Sequence, residues 1–162
     1  MKTRMLGGLG AAAAALVAMM SIAAAQNGTA ARAQAGGKQK LEVWKSATCG
    51  CCAKWNEHMA AAGFEVASTD VPDVNAVKDK HGVPPQLRSC HTGLVGGYVL
   101  EGHVPADVVQ KLLKERPSDV VGIAVPGMPA GSPGMEVPGG RTDSYQIIAF
   151  DRNGKTRVYA SK

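Results

Sequence analysis

Aromatic residues are scarce in this chain: two Phe, two Trp and three Tyr among 162 residues. Its 18 Lys and Arg are scattered without a run, and no aromatics interleave with them. A nucleic-acid interface needs a basic stripe or a stacking platform, so that class is set aside. No segment repeats. No second apolar span follows the N-terminal one, so the bulk of the chain reads as a water-soluble domain. There is no long His- or Met-rich extension, which argues against bulk metal storage. Only four cysteines occur, and none follows the small residues near the start, so a lipid-modified N-terminus is not expected.

What is present begins with an export signal. Met1-Lys2-Thr3-Arg4 is a basic start, Met5 to Ile22 is apolar and alanine-rich, and Ala23-Ala24-Ala25 before Gln26 fits an A-x-A cleavage site. Ala33-Gln34-Ala35 before Gly36 is a later candidate. Residues 1–25 are therefore expected to be a signal peptide, and the protein periplasmic with no membrane association after cleavage. The apolar run is close to the ~18 residues of a membrane span, so an uncleaved N-terminal anchor is the alternative. Losing Lys2 and Arg4 takes the formal net charge from +5 to +3, an ordinary solubility charge. Residues 26–40, rich in Ala, Gly, Gln and Lys without periodicity, read as a flexible linker. Residues 41–162 suffice for one domain with its own core.

Within that domain the patterning is mixed. Leu41 to Trp44 alternates as a short strand. Cys52, Trp55, Met59 and Ala62 recur at helical spacing, and Gly63 stops that helix. Phe64 to Thr69 is a second strand, and Asp73 caps a short helix over Val74 to His81. Thr92 to Val95 and Tyr98 to Glu101 form a hairpin around Gly96-Gly97. Pro105 opens a helix at its first position, with Val108, Val109, Leu112 and Leu113 inward. Pro117 to Gly140 is Pro/Gly-rich and aperiodic, a long loop of the functional or disordered kind. Tyr145 to Phe150 and Thr156 to Tyr159 make a second hairpin that adds strands to one sheet edge. The core order β-α-β-α-β-β-α is that of thioredoxin-like folds, so the expected class is α/β, thioredoxin-like, with a C-terminal Pro/Gly loop and an extra β-hairpin.

All the sulfur chemistry sits in Cys49-Gly50-Cys51-Cys52 and Cys90-His91. Adjacent Cys51 and Cys52 have Cα atoms about 3.8 Å apart, below the usual disulfide span of about 4.4–6.8 Å. A Cys49–Cys52 bridge would close only a tiny loop and so stabilise little. The first three thiols open a helix, where unpaired N–H groups and the positive dipole end favour thiolate. Cys49 and Cys52 keep the C-x-x-C spacing of thiol–disulfide oxidoreductases, but Cys51 stands where many of those carry Pro. A third sulfur suits metal ligation better than a dithiol switch. Cys90-His91 precedes the third strand, the place that faces the C-x-x-C turn in thioredoxin-like folds. Soft thiolates favour Cu(I), Zn and iron–sulfur clusters, and export argues against the last.

Three motifs then point to a family. Thr48-Cys49-Gly50-Cys51-Cys52-x-Lys54-Trp55, Gly82-Val83-Pro84-Pro85-x-Leu87-Arg88-Ser89-Cys90-His91-Thr92 and Val125-Pro126-Gly127-Met128-Pro129-x-Gly131-Ser132-Pro133-Gly134-Met135-Glu136 resemble the family known as domain of unknown function 411, which includes CopG-like periplasmic copper-resistance proteins. The resemblance runs from about Leu41 to Tyr159. It implies a thioredoxin-like fold and copper bound by the C-x-C-C and C-H motifs, among other periplasmic copper-efflux proteins as partners.

The expected metal ligands are Cys49, Cys51, Cys52, Cys90 and His91, holding one or more Cu(I) ions, since four clustered thiolates can bridge several. Met128 and Met135 are further candidate ligands, against a role as apolar anchors of their loop. His103 reads first as a surface or capping residue and second as a ligand. His58 and His81 read as structural. Trp44, Trp55 and Met59 read as core, with Trp55 also shielding the site. Arg88 and Lys54 are placed to lower thiolate pKa values or to be solvated. The expected function is copper resistance or homeostasis, with Cu(I)/Cu(II) interconversion as a further step. Two alternatives stand beside it. One is a thiol–disulfide oxidoreductase using Cys49 and Cys52; the other is a structural Zn module. Without metal, the thiols are expected to pair as Cys49–Cys52, or one of these with Cys90.

Overall fold

The computed structural model describes residues 37–162. The expected signal peptide and most of the expected linker lie outside the described residues. The elements run β1 (Lys40–Lys45), α1 (Gly50–Ala61), β2 (Glu65–Asp70), α2 (Val74–Lys80), β3 (Thr92–Val95), β4 (Tyr98–Glu101), α3 (Ala106–Glu115), β5 (Gly122–Ala124), β6 (Gln146–Phe150) and β7 (Thr156–Ser161), with a 3-10 turn at Pro85–Leu87 before β3. The domain is thus mixed α/β, and the β-α-β-α-β-β-α order is present as expected.

All seven strands form one sheet in the order β2-β1-β3-β4-β5-β6-β7. β1 is parallel to β2 and antiparallel to β3, β3 is antiparallel to β4, and β4 is parallel to β5. The register aligns Trp44 with Thr92, Thr92 with Glu101, and Glu101 with Ala124. Alternation along the strands sends residues to opposite faces. Leu41, Val43, Val95, Leu100, Ile123 and Ile147 meet Trp55 and Met59 of α1 and Val108, Val109 and Leu112 of α3. On the other face Val99, Ala124 and Phe150 pack with Val83 and Leu87.

Several local expectations need correction. β1 begins at Lys40, inside the segment read as linker. α1 begins at Gly50 with Cys49 as its N-cap residue, so Cys51 and Cys52 lie in the first turn. Pro105 is the N-cap of α3 rather than its first residue, its carbonyl accepting from Val108 N and Val109 N. Trp44 is only half-buried and lies against the His81 ring, with centroids 5.1 Å apart. His81 closes α2, and burial pushes its pKa down.

The largest difference is β5, inside the stretch read as a structureless loop. Three residues are too few for a period to register, and Pro and Gly flank them. Buried on both sides, β5 joins β4 to the second hairpin, which settles the edge: β6 and β7 extend the sheet beyond β5. Gly122 is where β5 fits. A Cβ there would lie 2.6 Å from Phe150 Cζ and 2.8 Å from Val99 Cβ, and would strike the Val99 carbonyl. Gly122→Ala is expected to lower stability by about 1–3 kcal/mol through overpacking, read as a shifted urea midpoint at constant slope.

Candidate metal centre

The turn from β1 into α1 delivers three sulfurs. No side chain caps α1, so the N–H groups of its first turn and its positive dipole end face the cysteines. Cys49 and Cys52 are joined as a disulfide with Cα atoms 5.3 Å apart, one of the pairings expected without metal. Cys51 and Cys90 are free, and Cys51 Sγ lies 3.6 Å from Cys49 Sγ. Cys90 comes from the segment before β3. All four sulfurs lie within 4.8 Å of one another, with Cys52 buried and the other three partly exposed.

Behind Cys90 stand two fully buried imidazoles, His91 and His103. Donor atoms of Cys90, His91 and His103 lie within 4.8 Å of one another. His103 Nδ1 is 2.8 Å from the Pro133 carbonyl. A carbonyl can only accept, so Nδ1 carries the proton and Nε2 presents a lone pair. That lone pair faces Cys90 Sγ at 3.0 Å. His91 Nδ1 lies 3.8 Å from the same sulfur, while its Nε2 is buried with no partner. The His91 ring packs on Trp55 at 4.4 Å and meets the edge of His103 at 5.1 Å.

Electrostatics oppose charge on these groups without metal. Burial holds His91 well below the ordinary imidazole range, and the charges of His103 and Lys78 act the same way. Burial also lowers His103, against the pull of the Pro133 carbonyl. The Cys90 thiol is pushed up to about 11, first by burial; the Ser89 hydroxyl pulls it down and Cys51 adds to the rise. A neutral S–H donating to His103 Nε2 satisfies both atoms. The set as a whole, soft sulfurs with neutral imidazole nitrogens and one orphaned ring nitrogen, is chemically suited to a late transition metal.

The segment after β5 closes over this centre. Ser89 Oγ donates to the Gly127 carbonyl at 2.6 Å. Gly134 sits so close to α1 that a Cβ would come within 2.6 Å of Cys51 O and 2.8 Å of Trp55 N. Glu136 accepts from Gly134 N at 2.9 Å and pairs with His58 Nε2 of α1 at 2.7 Å.

The profile of a family described as "protein of unknown function, DUF411" matches residues 87–135. Among solved structures, "Copper resistance protein copG- Form 2" is 46% identical with a TM-score of 0.73, the match covering 77% of this chain and 98% of that one. "Copper resistance protein copG- Form 1" matches at the same identity and coverage with a TM-score of 0.72. The chain belongs to the CopG-like DUF411 family. A search of curated proteins returns no match.

In this DUF411 protein the fold brings Cys49, Cys51, Cys52, Cys90 and His91 to one place. His103 is there too, fully buried, so the reading of it as a surface or capping residue is overturned. Its Gly-His-Val context, between a strand and a helix, carries no pattern that separates a capping histidine from an inward one. Met128 is 56% exposed and so does not anchor its loop in the core, while Met135 is half-buried. Arg88 is engaged with Asp79 and the Val83 carbonyl, and Lys54 is exposed on α1; with Cys90 raised rather than lowered, neither serves to activate it.

The sign of the pH dependence follows from the imidazoles. Their folded pKa values lie below the unfolded value of about 6.5, so the unfolded chain takes up protons first as pH falls. Metal-free protein is therefore expected to be fully stable above that value and to lose stability progressively below it. Thermal melting between pH 7.5 and 5 checks this, and His91→Gln should flatten the decline.

Proposed function

We propose that this protein is an exported copper-binding protein that holds Cu(I) on Cys49, Cys51, Cys52 and Cys90 in copper resistance, with His91 and His103 as nitrogen donors beside them. The observation that carries the reading is the convergence of four sulfurs within 4.8 Å of one another, backed by two buried imidazoles. The chain's likeness to two structures of a copper resistance protein supports copper as the metal. One mononuclear site needs no more than four donors. Here four sulfurs share a space with two ring nitrogens, an excess that favours several Cu(I) ions bridged by thiolates. The scaffold is read as thioredoxin-like, with residues 1–25 as the signal for export to the periplasm and copper-efflux proteins there as partners. Among the described residues no helix is long and apolar enough to cross a membrane.

Loading requires chemistry at the sulfurs. An external dithiol reductant gives the Cys49–Cys52 disulfide two electrons and two protons, becoming a disulfide itself, and the new thiols lose their protons to the solvent as metal binds. The reverse couples to copper oxidation state. Two Cu(II) ions accept one electron each from the Cys49 and Cys52 thiolates, giving two Cu(I) and the disulfide. A second reading, disulfide exchange on protein substrates, is favoured by that same disulfide at a helix opening.

Anaerobic Cu(I) titration of the reduced protein, followed by metal analysis and mass, tests the assignment. Saturation above one copper per chain is expected, lost in Cys90→Ser; uptake of a single Zn in preference to copper would overturn it. Cys51→Ser separates the two readings. It should weaken copper binding by about ten-fold or more, as loss of one strong ligand contact implies. An oxidoreductase would keep its disulfide-reducing rate in that variant and show no tight copper site in the parent.

A further inference from the structure

We propose that the buried Lys78–Glu101 ion pair is a positioning device for the metal centre, holding the Cys90-His91 dipeptide from both of its flanks. Lys78 on α2 is 1% exposed and Glu101 at the end of β4 is 0% exposed, and their charged atoms lie 2.7 Å apart. Lysine is almost never this buried unless paired.

The contacts around the carboxylate explain its placement. Glu101 Oε1 accepts from the backbone N–H of Ser89 at 2.6 Å, immediately before Cys90. Glu101 Oε2 accepts from the hydroxyl of Thr92 at 2.7 Å, immediately after His91. Lys78 Nζ donates to the same Thr92 oxygen at 3.2 Å. The two residues after Glu101 continue the grip. Gly102 N donates to the His91 carbonyl at 3.0 Å, and His103 faces Cys90 Sγ. At Gly102, whose φ is +72°, a Cβ would fall 2.8 Å from both Cβ and Oγ of Ser89, so the Ser89 side chain packs directly on the glycine backbone.

Stability alone does not call for such a pair. Taking two charges out of water is costly, and well-packed apolar residues often replace such a pair without loss. An apolar pair would pack equally well but could not accept the Ser89 N–H or the Thr92 hydroxyl. The carboxylate supplies two acceptors at fixed spacing, and the lysine neutralises it in a medium without water. Held in this way, the fourth sulfur meets the three at the opening of α1 before any metal arrives, so less ordering is required on binding. This deepens the copper reading, on which its relevance to function rests.

The test contrasts two double variants in a Cys51→Ser background with the Cys49–Cys52 disulfide intact, where Cys90 is the one free thiol. Lys78→Met/Glu101→Leu removes the charges and the acceptors. Lys78→Met/Glu101→Gln removes the charges but keeps a carbonyl oxygen for Ser89 N–H and an amide for Thr92. The readout is the rate of Cys90 alkylation by iodoacetamide, followed by mass. The Leu variant should react about ten-fold faster, the order expected when a charge-assisted hydrogen bond holding the segment is lost. The Gln variant should stay within about two-fold of its parent, a rescue that a merely structural role would not produce. Equal rates in a folded Leu variant and its parent would overturn the proposal, as would a Gln variant as fast as the Leu one. Should the Leu variant fail to fold, Thr92→Val removes one flank alone and must still accelerate alkylation; an unchanged rate would overturn the proposal equally. Alkylation involves no metal, so a failed copper titration leaves this test intact. With Cys51 restored, reduced Lys78→Met/Glu101→Leu should also bind Cu(I) more weakly than the Gln variant.

Discussion

Strand pairing at one end of the sheet decides where every side chain of the candidate centre leaves the fold. Trp44, Thr92, Glu101 and Ala124 are successive partners across β1, β3, β4 and β5. With β1, β4 and β5 running one way and β3 the other, this row is the end of β1, the start of β3, the end of β4 and the end of β5. Just outside it lie Cys49 to Cys52, Cys90-His91, His103 and the closing segment from Pro126 to Glu136. A slip of one residue in any of these ladders would send its side chains to the opposite face. The centre therefore depends on backbone hydrogen bonds formed far from any sulfur.

The same row separates two environments. On the face shared with α1 and α3 the sheet is apolar, and Trp55 is anchored there by its Nε1–H to the Val104 carbonyl at 2.9 Å. That bond fixes the indole against His91 and fills the space behind the imidazoles. On the α2 face, Thr92 and Glu101 turn inward with Lys78. One sheet thus keeps a hydrocarbon wall behind the two imidazoles and a buried polar knot behind the segment that carries Cys90. Dispersion holds the first, and charge-assisted hydrogen bonds among Lys78, Thr92 and Glu101 hold the second.

Much of this was legible in the sequence because it is local. The 3/4 spacing of Cys52, Trp55 and Met59 marks α1, Gly96-Gly97 marks the β3–β4 turn, and Asp73 caps α2 through Asn75 N and Ala76 N. The clustering of the cysteines needed only their spacing and the strand order. What escaped is what depends on distant partners. β5 is three residues long and exists because β4 and β6 flank it. Lys78 looks like any solvent-facing lysine on a short helix, and its carboxylate lies 23 residues further along. His103 is inward because the Pro133 carbonyl, 30 residues away, accepts its proton. None of these pairings leaves a period or a motif.

The bond between Cys49 and Cys52 has a logical consequence for how such a site would operate. A sulfur shared in a disulfide has no thiolate to give, so oxidised protein keeps only the Cys51 and Cys90 thiols beside the two imidazoles. On the copper reading, full capacity then requires two inputs at once, reducing equivalents and metal ions. Either one alone leaves the cluster incomplete. The protein would behave as a coincidence gate, and its copper content would report the electron supply of its compartment as much as the copper supply.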